Sequence, residues 1–189
     1  MTHAEALEKS ADKTIDITQI DTIYREFGED KKIQSAIAVN LNQRVTLQDE
    51  AESKSKMVAE LLKALANSSE MSVRWTVAKN KHTPIVTLKE LSMDTINLVR
   101  ALVATNPNTP TDILQRFFHD EKIVRDGLSG NPSTPYKYLS LLADDSDVMV
   151  RLRLAENPSS PEILLEKLAK DSASNVRQAA QSRLQRIKI

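Results

Sequence analysis

A cassette of about 25 residues recurs along the C-terminal two thirds of the chain, and this period constrains the fold more than any other feature. Its clearest copies read Val99-Arg100-Ala101-Leu102-Val103-Ala104-Thr105-Asn106-Pro107-Asn108-Thr109-Pro110 and Val150-Arg151-Leu152-Arg153-Leu154-Ala155-Glu156-Asn157-Pro158-Ser159-Ser160-Pro161. The Val-Arg pair falls at 73/74, 99/100, 124/125, 150/151 and 176/177, with spacings of 26, 25, 26 and 26. A fixed period of this size means that each copy is one supersecondary unit that cannot bury its apolar face alone, so successive copies must stack.

Within each copy the fifth and sixth places are apolar then small: Val77-Ala78, Val103-Ala104, Leu128-Ser129 and Leu154-Ala155. Apolar at one and five with a small residue at six is helical spacing for a narrow buried stripe, and the small residue lets a neighbouring helix approach. This first helix, helix A, stops at an Asn in the eighth place (Asn80, Asn106, Asn131, Asn157), followed in three copies by Pro107, Pro132 and Pro158. Proline removes a backbone donor and pushes the preceding residue out of the α region, so the chain turns there. A hydroxyl residue then precedes a second proline: Thr83-Pro84, Thr109-Pro110, Thr134-Pro135 and Ser160-Pro161. That pair predicts the start of helix B, with the hydroxyl capping free N–H groups and the proline in the first helical position. Leu88, Leu114, Leu139 and Leu165 follow four residues after the proline, with Leu91, Phe117, Leu142 and Leu168 three residues later, and these are the predicted buried face. Each copy closes on Asp94, Asp120, Asp145 or Asp171. Two helices of about 8–12 residues make one rung.

Composition agrees with helices throughout: three glycines, seven prolines, 4% aromatics and a 40% hydrophobic share. The chain has no cysteine, which removes disulfides, thiolate nucleophiles and cysteine-held metals or clusters. No signal-like segment opens the sequence and no run of eighteen apolar residues occurs, so a cytoplasmic protein without membrane spans is the expectation. Net charge is zero but unevenly spread: residues 1–72 carry nine Lys/Arg against thirteen Asp/Glu, and residues 150–189 carry eight against four.

The Val-Arg, Ala-x-Asn-Pro and Thr-Pro elements, with their spaced leucines and terminal Asp, resemble the leucine-rich repeat variant family, a relative of HEAT-like helical repeats. The resemblance covers residues 73 to about 182. It implies an all-α fold, a right-handed superhelical solenoid of short helix pairs used as a binding scaffold. Some members carry an iron-sulfur cluster in an attached cysteine-rich segment, which a chain without cysteine cannot hold.

Upstream, Ile33, Ile37, Ala38 and Asn40 stand at the first, fifth, sixth and eighth places, with Gln34 in place of Arg and Arg44 in place of Pro. This reads as a decayed rung. Ile33 and Val73 are 40 residues apart, which predicts an insertion near 44–56 and a helix over 57–66. A helix over 17–27, ended by Gly28, precedes it, and the first dozen residues are expected to be disordered or a loose helix. The organisation is thus an N-terminal helical cap over 1–72, with the decayed repeat at 33–72, followed by four repeats and a C-terminal capping helix over 73–189.

The recurrent arginines could form a row that binds phosphates or acidic groups. The competing reading is a ladder in which each Arg pairs with the Asp closing the previous copy, Asp94 with Arg100 and Asp171 with Arg177, because acid and base recur together. The Asn series reads as structural, satisfying backbone groups at the turns. His3, His82 and His119 share no metal-ligand spacing, no glycine-rich phosphate loop occurs, and no carboxylate pair stands out as acid and base. No catalytic residue, cofactor or metal is therefore expected. The informative places are those where copies disagree: Trp75, Ile85, Val86, Tyr136 and Ile163 are the candidate partner-binding residues. The first functional expectation is a non-enzymatic scaffold that binds another protein. The alternative is a nucleic-acid binder using Arg151, Arg153, Arg177, Arg183, Arg186 and Lys188 at the basic last rung. A base-excision enzyme on helical repeats would need a basic groove around one catalytic Asp, and the sequence singles out none.

Overall fold

The computed structural model describes residues 1–44 and 52–187. Among the described residues there are thirteen α-helices and no strand. They are α1 (His3–Ala11), α2 (Ile17–Phe27), α3 (Lys31–Gln43), α4 (Glu52–Leu65), α5 (Met71–Lys79), α6 (Ile85–Leu91), α7 (Asn97–Thr105), α8 (Thr111–Phe117), α9 (Lys122–Gly130), α10 (Tyr136–Leu142), α11 (Val148–Glu156), α12 (Glu162–Leu168) and α13 (Ser174–Ile187). Odd-numbered helices occupy the helix A place and even-numbered ones the helix B place. The chain divides into two compact units, Met1–Val99 and Arg100–Ile189, with the boundary inside α7.

In the N-terminal unit α1 packs on α3, α3 on α5, and α2 on α4. The first helix is neither disordered nor loose. Thr2 accepts from the Glu5 N–H at 3.3 Å while the Glu5 carboxylate accepts from the Thr2 N–H at 2.8 Å, a reciprocal cap, and Ala6 and Ser10 are fully buried. Together α1 and α2 form a rung the sequence hides. Asp12 takes the Asn place, α2 begins five residues later as helix B does after Asn80, and the buried Ile20 and Ile23 match Leu88 and Leu91. Helix α2 itself ends before Gly28 as expected. Helix α4 starts earlier than 57–66, at Glu52, and buries Val58, Leu61, Leu62 and Leu65. Residues 45–51 of the expected insertion lie outside the described residues.

In the C-terminal unit α9 packs on α11, α11 on α13, and α12 on α13. Leu114, Leu139, Leu165, Phe117, Leu142 and Leu168 are all buried, so the helix B register is that of the cassette. Helix B is short, seven residues in α8, α10 and α12, because it spans only the two turns that carry the buried face.

The turn between A and B differs from expectation in one respect. The proline is the N-cap of helix B and makes no side-chain cap bond. The hydroxyl before it therefore lies too far back to cap helix B, and it turns to the free carbonyls that end helix A. Thr83 donates to Val77 O (2.6 Å), Thr109 to Val103 O (2.5 Å), Thr134 to Leu128 O (2.7 Å) and Ser160 to Leu154 O (2.6 Å).

The eighth place joins consecutive rungs. Asn131 Nδ2 donates to Ala104 O (2.6 Å) and Asn106 O (2.8 Å) of the rung before, while its Oδ1 accepts from the Ser133 N–H of its own turn (2.8 Å). Asn157 repeats this on Ser129 O, Asn131 O and the Ser159 N–H, and Asn40 donates to Ser10 O and Asp12 O. An amide suits the place because its NH2 donates twice backwards while its oxygen accepts locally. Where one function suffices, the residue changes. Exposed Asp12 only accepts, from the N–H and hydroxyl of Thr14, and Arg183 only donates, from Nη2 to Pro158 O at 3.0 Å.

Candidate functional site

The arginine ladder exists, but its pairing is one rung away from the sequence expectation. Each guanidinium grips the Asp that closes its own rung, twenty residues ahead. In the N-terminal unit Arg74 Nε and Nη2 donate to the two oxygens of Asp94 at 2.6 and 3.2 Å. In the C-terminal unit Arg100 does the same to Asp120 (2.9 and 2.8 Å), Arg125 to Asp145 (2.7 and 3.2 Å) and Arg151 to Asp171 (2.7 and 3.0 Å). The preceding closing residue is met only through its backbone: Arg125 Nη1 donates to Asp120 O, Arg151 to Asp145 O and Arg177 to Asp171 O. Sequence spacing pointed to the nearer acid, because Arg100, Arg125 and Arg151 each have one Asp five or six residues before and another twenty residues after. In the decayed rung the ion pair becomes a neutral pair: Gln34 donates to Gly28 O at 2.6 Å and accepts from Ser68 Oγ at 2.5 Å.

These carboxylates are also used locally. One oxygen of Asp94, Asp145 and Asp171 accepts from the N–H two residues on, at 2.9, 2.9 and 2.8 Å. The guanidinium of Arg100 holds the Asp120 carboxyl below its usual range, and that of Arg151 does so for Asp171. Burial opposes ionisation of Asp145, but the bonds from Arg125 and the Asp147 N–H outweigh it and the shift is downward. Arg74, Arg100, Arg125 and Arg151 are thus each held in a bidentate ion pair within the fold.

The five apolar candidates are all on the surface. In the N-terminal unit Trp75 on α5 and Ile85 and Val86 at the start of α6 are exposed; in the C-terminal unit Tyr136 opens α10 and Ile163 lies in the first turn of α12, 54% and 63% exposed. Sequence reasoning missed Met93 in the first unit and Ile123, Leu141 and Met149 in the second, all exposed. Ile123 and Met149 share a signal: each directly precedes the buried Val of its pair.

Two shallow clefts lie along the ladder edge of the C-terminal unit. The larger, about 470 Å³, is bounded by Ala143, Leu168, Lys167, Lys170 and the Arg151–Asp171 pair. Its neighbour, about 270 Å³, is lined by Phe118, His119, Leu141 and the Arg125–Asp145 pair. Phe118 packs edge-on against His119, with ring centroids 5.0 Å apart, and lies 5.7 Å from the ring of Tyr138.

Most of the basic candidates are engaged within the fold. Arg151 is bound to Asp171, Arg153 meets Glu156 at 3.0 Å and Asp126 at 3.8 Å, and Arg183 donates to Pro158 O. Asp126 is short of partners on one side: its Oδ1 is buried without a hydrogen bond, and burial raises its pKa. Arg177 donates through Nη1 to Asp171 O and Ser172 O, and Arg186 is exposed. Lys188 lies outside the described residues.

His3 pairs with Asp30 at 3.0 Å, His119 is exposed, and His82 is partly buried with its pKa lowered by burial. Among the described residues no group of three or more His, Asp or Glu side chains is placed to hold a metal ion, and no helix is long and apolar enough to cross a membrane. No family model matches the chain, and no curated protein sequence matches it.

Proposed function

We propose that this chain is a non-enzymatic helical-repeat scaffold of the leucine-rich repeat variant type, related to HEAT-like repeats, which binds another protein through the places where its copies disagree. Within each unit the helix pairs would stack with the right-handed sense the resemblance implies. The lack of cysteine fits a cytoplasmic setting. One observation carries the reading. In the C-terminal unit the Arg125 and Arg151 forks and the Asn131 and Asn157 amides are consumed by the fold, whereas large apolar side chains at variable places, Tyr136, Leu141 and Ile163, are left to solvent. Aromatic and aliphatic anchors of this kind, mounted on a rigid frame, suit recognition of a protein surface.

The test is site-specific photo-cross-linking in the native cell, with benzoylphenylalanine at Tyr136 or Ile163 and, as control, at exposed Glu166 of the same helix as Ile163. The expected result is one stoichiometric protein adduct at the first two positions and none at the third, lost again from purified complex carrying Tyr136→Ser and Ile163→Ser. Equal adducts at all three positions, or none, would remove the reading. The nucleic-acid alternative has less support, because Arg151, Arg153 and Arg183 are internally bound. Retention on DNA or RNA that falls with salt would favour it.

A further inference from the structure

Arg125, Arg151 and Arg177 begin the same contact and only two of them finish it. In each, Nη1 donates to the backbone carbonyl of the preceding closing Asp, at 3.0, 2.7 and 2.7 Å. In Arg125 and Arg151 the remaining fork, Nε with Nη2, then receives the carboxylate of Asp145 or Asp171. For Arg177 no carboxylate meets that fork among the described residues. Where another rung would turn, start helix B and bring a closing Asp, α13 runs on as a single fourteen-residue helix to Ile187.

The open fork is prepared for a ligand. Nη1 is fixed by two carbonyls, Asp171 O at 2.7 Å and Ser172 O at 2.8 Å, so much of the side chain's freedom is already lost and little more is lost when a ligand arrives. Residues 172–187 contain no acidic side chain and three arginines, Arg177, Arg183 and Arg186, so the surroundings favour an anion. The occupied forks of the same chain show which anion fits: a planar carboxylate taken bidentately, with one oxygen also accepting an N–H two residues further along its own backbone. That second bond closes a short turn, which an aspartate makes and the longer glutamate does not.

We propose that the Arg177 fork binds an aspartate carboxylate on an acidic segment of a partner protein, which takes the place that Asp145 and Asp171 hold on Arg125 and Arg151. The proposal rests on the protein-binding reading for the class of partner. Its site is separate from Tyr136 and Ile163, so the two fail separately.

The experiment follows the arginine Nε–Hε signals of the ¹⁵N-labelled full chain by NMR. The probe is a synthetic peptide copying residues 136–147, which carries Asp145 in its own turn, blocked at both ends. In the free protein the Arg125 and Arg151 Hε protons should exchange slowly and that of Arg177 quickly. Peptide should slow and shift Arg177 Hε, and peptide with Asp145→Asn or Asp145→Glu should not. Arg177→Lys should weaken binding about tenfold or more, since a point charge cannot form the fork. Arg186→Gln, which removes a positive charge from the same helix where Arg177→Lys keeps one, should have little effect. Slow exchange of Arg177 Hε in the free protein overturns the proposal, because the fork is then already filled. Equal binding by Arg177→Lys and the original protein also overturns it. So does an oligodeoxythymidylate that shifts Arg177 where the peptide does not, which would make this a phosphate site. A partner cross-linked at Tyr136 or Ile163 with Arg177 unresponsive overturns this proposal and leaves the scaffold reading intact.

Discussion

Replacing Asn131 by Asp changes one atom's chemistry at the contact that joins two rungs. The side chain is fully buried, and the substitution keeps the oxygen that accepts from the Ser133 N–H while turning the donor that served Ala104 O and Asn106 O into an acceptor. Asn106 O keeps the Thr109 N–H at 3.0 Å, so Ala104 O is the carbonyl left without a partner, at a cost of about 1–3 kcal/mol. The buried charge adds to this, up to the point where the new acid takes a proton instead. We expect a loss of about 3–5 kcal/mol at pH 7, a large part of the ~5–15 kcal/mol that holds a typical domain folded. The sign of the pH dependence follows. Burial raises the folded pKa of the new acid above the unfolded value of about 3.9, so the penalty is full above the folded pKa and shrinks as pH falls through it. Once protonated, the acid donates to one of the two carbonyls again. Asn131→Ala should lose about 2–4 kcal/mol with no such pH dependence. Urea unfolding followed by circular dichroism at pH 7 and pH 4.5 measures all three proteins. Asp12→Asn is the control: Asp12 is exposed and only accepts, so the unfolding midpoint should not move. An Asn131→Asp protein as stable as the original at pH 7, or one whose loss grows on acidification, would refute the donor argument.

The glycines of α9 separate helix propensity from packing. A Cβ on Gly127 would lie 2.6 Å from Ala101 O, whereas one on Gly130 would meet only the flexible Arg153 side chain at 2.9 Å. Gly130→Ala should therefore be neutral or stabilise by up to about 1 kcal/mol. Gly127→Ala should destabilise by about 1–3 kcal/mol despite the same propensity gain, and equal gains in thermal unfolding would deny the close approach. A double-mutant cycle at Arg125/Asp145 should show about 1–3 kcal/mol of coupling, while Asp171/Arg177 should show almost none, because the Asp171 carboxylate is bound to Arg151. Since Arg100 and Arg151 depress the carboxyls of Asp120 and Asp171, that stabilisation is present above the unfolded pKa and lost as pH falls through the lower folded values. Acid titration of the original protein should show a loss below about pH 4 that Asp120→Asn with Asp171→Asn reduces.

The rung was legible because it is local. Helical spacing, the Asn-Pro stop and the leucines after each second proline act within one copy, and Leu114, Leu139 and Leu165 are buried where the pattern puts them. The same locality made α1 and α2 invisible as a rung, since Asp12 stands where the pattern has Asn and the hydroxyl-proline start is absent. The exposure of Ile85, Val86, Tyr136 and Ile163 also followed from the pattern, because places just after the proline precede the buried stripe, and Trp75 is exposed at the third place of helix A.

By itself the sequence determined the period, the helical class, the buried face of each helix and the list of residues that recur. Tertiary structure decided what the recurring polar groups bind. Arg100, Arg125 and Arg151 each had one Asp five or six residues before and another twenty residues after, and only the stacking of helix A beside the loop after helix B selects the more distant one. Likewise the preference for Asn over Asp in the eighth place comes from two carbonyls that the neighbouring rung supplies, as Asn131 shows between Ala104 O and Asn106 O. Hydrophobic periodicity is written along one chain segment, whereas a hydrogen bond needs a distance and a direction that exist only after two segments have packed.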